Sequence, residues 1–156
     1  MKTRPCNRIA AAILTVILAL PLASLCAGDT GQHQRELIVS FEEMFTGDTT
    51  IDGDSTLTGF FTGAGTRHED FTATQVGKLV YVTGTVTITT DDGTLTSTFT
   101  GTTPVDKNPT FIEGPEMLTG GTGIYANAQG NGTFQATVDF ETGQIVGTAK
   151  FLVRAP

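Results

Sequence analysis

The chain is poor in the residue types on which several common kinds of functional site depend. Of its 156 residues, two are cysteines, two are histidines and none is tryptophan. Basic residues are also scarce: nine Lys and Arg stand against sixteen Asp and Glu, a formal net charge of −7. Because binding to phosphates needs a basic patch, we expect neither a nucleic-acid partner nor attraction to an anionic membrane surface.

A long apolar run is also missing, apart from one near the N-terminus. Three basic residues precede the run from Ile9 to Leu20, which is typical of a secretory signal peptide. The run is shorter than the roughly 20 residues that a membrane-spanning helix needs, so we expect no transmembrane segment once the signal is removed. Cleavage after Ala27 would leave a flexible tether over residues 28–35 and one domain over residues 36–156, in a secreted or periplasmic protein.

The two cysteines, Cys6 and Cys26, would both leave with this signal peptide. The exported protein would then have no disulfide, no cysteine nucleophile and no thiolate metal site. An alternative cleavage is open, because Ala23-Ser24-Leu25-Cys26 resembles a bacterial lipobox. In that case Cys26 would become a lipidated first residue, and the protein would be a lipoprotein anchored through it.

Alternation of apolar and polar residues runs through the rest of the chain, which is rich in threonine and glycine. From Thr94 to Thr100, Leu95, Ser97 and Phe99 share one face and threonines occupy the other. The segments Thr133 to Phe140 and Ile145 to Val153 show the same period of two, which indicates β-strands with one buried face. Threonine is β-branched and favours strands, so a helical fold has little support.

Short turns separate these segments, which makes neighbouring strands antiparallel. Thr90-Asp91-Asp92-Gly93 and Glu141-Thr142-Gly143 are two such turns, while Asn108-Pro109 and Gly114-Pro115 are expected to bound irregular connections. The chain is therefore predicted to be all-β, with a single antiparallel eight-stranded β-barrel that fills its interior or holds one small ligand. A β-sandwich is the alternative. The remaining predicted strands are Arg35 to Phe45, Leu57 to Thr62, Thr66 to Gln75, Lys78 to Thr89 and Phe111 to Leu118.

The glycines in LTGGTGIYANAQGNGTF, which begins at Leu118, are spaced almost like a dinucleotide-binding fingerprint. Such a loop must open a helix that carries the pyrophosphate. Here only six residues separate Gly123 from Gly130-Asn131-Gly132, which we expect to be a tight turn, and an alternating strand follows. We therefore expect no cofactor, and we expect the glycines to permit positive backbone angles and close strand approach.

The same segment resembles a motif shared by dirigent proteins and the allene oxide cyclase barrel. The matching residues are Gly120, Gly121, Thr122, Gly123, Tyr125, Ala128 and Gly130, and the chain departs from the dirigent pattern at Gln129, where arginine is common. Together with Gly65-Thr66-Arg67-His68, the segment is also similar to small exported bacterial proteins of unassigned activity. The resemblance implies a barrel of the allene oxide cyclase/dirigent type, and no catalytic residue is carried over from it.

Charged residues cluster in Arg67-His68-Glu69-Asp70, in a chain otherwise poor in charge. If Phe71 faces inward, alternation places Arg67 and Glu69 inside as a buried ion pair that could orient a polar ligand, and it places His68 and Asp70 outside. The alternative, favoured by the sequence alone, is a strand end or loop with solvated charges. A metal site from His68, Asp70 and His33 lacks further ligands at metal spacing, so no metal is expected.

Two further features bear on a site. Tyr125 is a candidate to present its hydroxyl to a ligand in the lumen, whereas Tyr81 is expected to lie outside. The acidic stretch that includes Glu42, Glu43 and Asp52 is expected to be a solvated loop. The candidate ligand-binding residues are thus Arg67, His68, Glu69 and Tyr125.

Three functions are open at this point. The first is an exported β-barrel that binds a small apolar molecule in its lumen without turnover. The second is a cofactor-independent cyclase or isomerase, in which Arg67, Glu69 or Tyr125 polarises a flexible substrate. The third is a non-catalytic structural envelope protein with a filled barrel.

Overall fold

The computed structural model describes residues 34–154, which form eight β-strands and one short 3₁₀ helix. Each strand pairs antiparallel with the next in sequence, and β1 pairs with β8, so the sheet closes into a barrel. The predicted signal peptide, Cys26 and His33 lie outside the described residues. The strands are β1 Gln34–Phe45, β2 Thr50–Gly59, β3 Gly63–Val76, β4 Leu79–Thr90, β5 Gly93–Pro104, β6 Thr110–Gly121, β7 Gln129–Asp139 and β8 Gln144–Arg154, with the 3₁₀ helix at Gly123–Tyr125.

The all-β prediction and the choice of a barrel over a sandwich are confirmed. Alternation places one side of every strand inside, as predicted for Leu95, Ser97 and Phe99 on β5, all of which are buried. The opposite side carries mostly threonine and other polar residues. Closure removes the exposed strand edges, because the last strand completes the hydrogen bonding of the first.

The two ends of the barrel differ in how they are covered. We call the closed end the one that carries the connections 60–62, 91–92 and 122–128, and the open end the one with the other four connections. The 3₁₀ helix folds over the closed end and buries Tyr125 completely. The Tyr125 ring meets the Phe61 ring edge to face at 4.8 Å, and its hydroxyl lies 3.1 Å from Oγ1 of Thr90. This end of the interior is therefore packed.

Glycines make this cover possible, as predicted from the segment that begins at Leu118. Gly120 and Gly123 have φ values of 131° and 59°, which L-residues with side chains rarely adopt. A Cβ at Gly123 would also collide with the carbonyl oxygen of Asp92. After Gly123 the chain makes a single 3₁₀ turn and then enters β7, so a helix that could carry a pyrophosphate does not follow.

Two dipeptides that were expected to lie in turns or connections lie inside strands instead. Asn131-Gly132 belongs to β7 and Gly114-Pro115 belongs to β6, so neither is a turn. Gly132 faces the interior, where an added Cβ would lie 2.6 Å from the ring of Phe151. The glycine there provides room for a buried aromatic ring, which has the same sequence signature as a tight turn.

The prediction of a solvated acidic loop around Asp52 is also wrong. Residues Thr50–Gly59 form the continuous strand β2, whereas Glu42 and Glu43 lie within β1, in agreement with the predicted strand Arg35 to Phe45. Ile51, Ser55 and Leu57 of β2 are buried. The polar side chains between them face outward, which gave the segment its loop-like composition.

Candidate functional site

The open half of the barrel contains a cavity of about 440 Å³ that reaches solvent at the open end. This volume lies within the range of about 300–1,000 Å³ that is usual for small-molecule sites. Its wall is mainly apolar, and six of the ten phenylalanines contribute to it: Phe41, Phe45, Phe71, Phe99, Phe134 and Phe140. Phe140 and Val105 stand at its mouth and remain half exposed.

The floor of the cavity is charged, because Arg67 and Glu69 project into it from the middle of β3. Their side chains are only 2% and 9% exposed. The inward placement inferred from Phe71 is therefore right, and the solvated strand end favoured by the sequence is wrong. Below Arg67, toward the closed end, Arg67 and Glu116 line a void of about 10 Å³.

A third charged residue, Glu43, contacts Arg67 from behind the cavity wall and was not identified from the sequence as part of a site. Strand pairing places Glu43 of β1, Gly53 of β2 and Arg67 of β3 side by side in one row. Gly53 has no side chain, and a Cβ there would lie 2.8 Å from Cγ of Glu43. Glu43 can therefore reach across β2, and its Oε2 lies 2.5 Å from Nη1 of Arg67.

The guanidinium of Arg67 is held on several sides. Nη2 lies 2.5 Å from Oε1 of Glu69, so each terminal nitrogen contacts one carboxyl group. Its Cζ lies 3.8 Å from the centre of the Phe41 ring, a cation–π contact. The Arg67 side chain is thus held in position by contacts within the barrel.

Glu116 of β6 adds a third buried carboxyl group near Arg67. It accepts a hydrogen bond of 2.5 Å from the Ser97 hydroxyl, and it lines the small void below the cavity floor together with Arg67. Sequence reasoning missed Glu116 as well. Its inward position follows from alternation with the buried Ile112 and Leu118 on the same strand.

Burial raises the pKa of all three carboxyl groups, because a carboxylate loses more than a carboxylic acid when water is removed. The effect brings the pKa of Glu43 to about 8, although the nearby Arg67 opposes it. One guanidinium cannot balance three carboxylates. At neutral pH we therefore expect Glu43 to hold a proton beside Glu69.

Some polar atoms of this cluster have no hydrogen-bond partner among residues 34–154. They are Oε1 of Glu43, Nε of Arg67 and Oε2 of Glu116. Buried polar atoms without a partner carry an energetic cost, so this cluster does not stabilise the fold as apolar packing would.

His68, which lies between Arg67 and Glu69 in the predicted cluster, faces the outside of the barrel, as alternation from Phe71 predicted. Its Nδ1 is 2.6 Å from Oδ1 of Asp52 and its Nε2 is 3.5 Å from Oδ2 of Asp70, at 46% side-chain exposure. The hydrogen bond to Asp52 is the largest cause of a raised His68 pKa. The structure does not bring His68 to the cavity. Over residues 34–154, no group of three or more His, Cys, Asp or Glu side chains is arranged to hold a metal ion.

The two tyrosines also separate. Tyr81 is 48% exposed on the outside of β4, as predicted. Tyr125 belongs to the packed closed end and does not line the cavity. Of the four candidate residues, the structure therefore unites Arg67 and Glu69 and places His68 and Tyr125 elsewhere.

Comparison with known proteins adds no relative: neither protein-family models, nor curated proteins, nor solved structures gave a match. Within the described part of the chain, no helix has the length and apolarity to cross a bilayer. The chemistry of the cavity is thus the basis for any functional proposal.

Proposed function

We propose that this protein binds one small, mainly apolar molecule inside the barrel without converting it. The observation that carries the proposal is the open cavity of about 440 Å³ with its wall of phenylalanines. An eight-stranded barrel is narrow enough for side chains to fill it completely, and the closed half of this barrel is filled in that way. The open half therefore differs from the filled barrel expected of a purely structural envelope protein.

The polar floor supports the same function. A ligand pocket usually combines apolar walls with a few fixed polar groups that orient the bound molecule. Arg67 and Glu69 provide such groups at the inner end of the cavity. An apolar molecule with one polar end would bury its body among the aromatic rings and direct that end toward β3.

A fluorescence titration with the uncharged probe N-phenyl-1-naphthylamine tests the proposal. Ala136 of β7 lines the cavity, so Ala136→Leu should occupy part of it, while the next residue, Thr137, faces outward and gives the control Thr137→Leu. We expect the wild type and the control to increase the probe's fluorescence with saturation, and Ala136→Leu to bind at least about tenfold more weakly. Equal binding by all three proteins, or none by the wild type, would refute a ligand cavity.

The second candidate is a cofactor-independent cyclase or isomerase. It is favoured by the placement of Arg67 and Glu69 at the cavity, since a carboxyl group with a raised pKa is suited to proton transfer. The resemblance of the Gly120 to Gly130 segment to allene oxide cyclases and dirigent proteins points the same way. Any molecule recovered from the wild type would be incubated with wild-type and Glu69→Gln protein. If only the wild type forms a new product, the protein is an enzyme, and catalysis replaces binding without turnover as its proposed function.

Export through the signal peptide, with release after Ala27 or lipidation at Cys26, stays a prediction from the sequence.

A further inference from the structure

We propose that the cavity selects a ligand whose polar end is a protonated amine and rejects one whose polar end is an anion. This inference rests on the proposed binding function and specifies its ligand class. It follows from the balance of charged groups around Arg67 and from the buried polar atoms of these groups that have no hydrogen-bond partner.

Around Arg67, buried carboxyl groups outnumber basic groups by three to one, and Glu69 is the one that lines the cavity. Among residues 34–154, the buried charged side chains are Glu43, Glu69, Glu116 and Arg67. Within the described residues, Arg67, Glu69 and the acidic Asp48 at the mouth are the ionisable groups that line the cavity. Arg67 can neutralise one of these carboxyl groups, and the others must be neutralised by protons or by a cationic ligand, so the cluster favours a cation over an anion.

Arg67, which would be the natural partner of an anionic ligand, is already engaged. Both of its terminal nitrogens contact carboxyl groups, and Phe41 covers one face of the guanidinium. A ligand carboxylate could reach the terminal nitrogens of Arg67 only by displacing Glu43 or Glu69, which leaves it the single buried Nε as a donor, and it would add a fourth acidic group to the cluster. A fatty acid is therefore a poor fit in spite of the apolar walls.

An ammonium group, unlike a carboxylate, would find acceptor atoms near the inner end of the cavity. Glu69 lines the cavity, and Oε1 of Glu43 behind it has no donor among the described residues. An ammonium group donates three hydrogen bonds and accepts none. It would supply the second positive charge that lets Glu43 and Glu69 both ionise, with Arg67 between them.

Binding of the amine should therefore release a proton from the carboxyl cluster. The bond between that proton and Glu43 breaks, the proton passes to solvent, and the carboxylate that remains is neutralised by the ligand. Release of this proton becomes easier as the pH rises, so the affinity for the amine should increase between pH 6 and pH 8. The alkylamine itself stays protonated over this range, because it keeps its own proton up to a pH of about 10. Linkage of one proton limits the rise to about tenfold per pH unit.

Isothermal titration calorimetry with decylamine, decanol and sodium decanoate tests the inference, since these probes differ mainly in the head group. The cavity of about 440 Å³ corresponds to about 15 water molecules at their share of about 30 Å³ in the liquid, so a decyl chain is of suitable size. At pH 7.5 we expect decylamine to bind at least about tenfold more tightly than decanol, and decanoate to bind most weakly. Titration in two buffers of different ionisation enthalpy should reveal proton release with decylamine alone.

Two variants separate the charge from the cavity. Glu69→Gln keeps the size of the side chain, so decylamine affinity should fall at least about tenfold while decanol affinity changes less than about threefold. Asp70→Asn removes the neighbouring acid, which is exposed on the outside of β3, and should leave all three affinities unchanged.

Each outcome has one meaning. Tightest binding of decanoate, or equal binding of decylamine and decanol, overturns the amine assignment while the binding function stands. An equal loss of decylamine affinity in both variants also overturns it, since general surface charge would then account for the preference. Failure of all three probes, together with failure of N-phenyl-1-naphthylamine, overturns the binding function itself.

Discussion

Replacing Glu43 by glutamine should change how the stability of the protein depends on pH. Glu43 is completely buried against Arg67, and burial raises its pKa from 4.5 to about 8. The folded state therefore favours the protonated carboxyl group. This contribution to stability is fully present below pH 4.5 and is lost as the pH rises through about 8.

The size of the effect follows from the rise in pKa. The pKa rises by about 3.5, and each unit of pKa corresponds to about 1.4 kcal/mol, so the full effect on the free energy of unfolding is about 5 kcal/mol. Of this, about 4 kcal/mol is lost between pH 5 and pH 9. Glutamine has nearly the shape of the protonated acid and cannot ionise. Glu43→Gln should therefore match the wild type within about 1 kcal/mol at pH 5 and exceed its stability by several kcal/mol at pH 9.

Urea unfolding followed by circular dichroism at pH 5, 7 and 9 measures this difference. The other buried carboxyl groups remain in both proteins, so the difference between the two curves reports the titration of Glu43 together with its effect on the neighbouring Glu69. Glu36→Gln, at an exposed position of the same strand, is the control and should follow the wild type at every pH. A Glu43→Gln protein with a constant stability difference from pH 5 to pH 9 would refute the reasoning, because Glu43 would then be ionised in the folded protein at both ends of the range.

The remaining predictions concern the cation, the glycine cover and the outer histidine. Arg67→Met removes the only buried basic side chain of residues 34–154 and should lower the unfolding free energy at pH 7 by about 3–5 kcal/mol, as measured by urea unfolding. This loss should be smaller at pH 5. An equal loss at both pH values would contradict the charge balance described above. Gly77→Ala and Gly123→Ala both place a side chain at a φ near 60°, but only Gly123 is crowded by a neighbouring carbonyl. Thermal unfolding should show a loss of about 1–2 kcal/mol for the first and a clearly larger one for the second, and equal losses would mean that the strand approach is not tight. His68 should titrate above 6.5 by NMR, and Asp52→Asn should lower its pKa toward that value; no change would mean that the contact does not persist in solution.

The fold was predictable because its signal is local. Period-two alternation in segments such as Thr94 to Thr100 fixes which residues face inward, and short turns such as Asp91-Asp92 fix antiparallel pairing. Glycines misled where they serve packing, since Gly132 provides space for Phe151 and does not make a turn. Barrel closure could only be inferred, because it depends on pairing between β1 and β8 at the two ends of the domain.

The candidate site was predictable only in part because it depends on strand register. Arg67 and Glu69 lie two residues apart on one strand, so alternation alone could place them together. Glu43 reaches Arg67 through a row that includes Gly53 of the intervening strand, and no local pattern reveals that row. A carboxyl group beside another glutamate in an acidic stretch is more often solvated than buried. Its burial becomes understandable only once its partner is known.

The central claim is that the open half of the barrel holds a small molecule. Native mass spectrometry of the protein purified from its own host tests this claim most directly, with Ala136→Leu produced in the same way as the comparison. The account predicts a wild-type mass above that of the chain, an excess that disappears at higher collision energy and is reduced or absent in the variant. A wild-type protein that carries only the mass of its own chain, and that also binds none of the decyl probes or N-phenyl-1-naphthylamine, would contradict it.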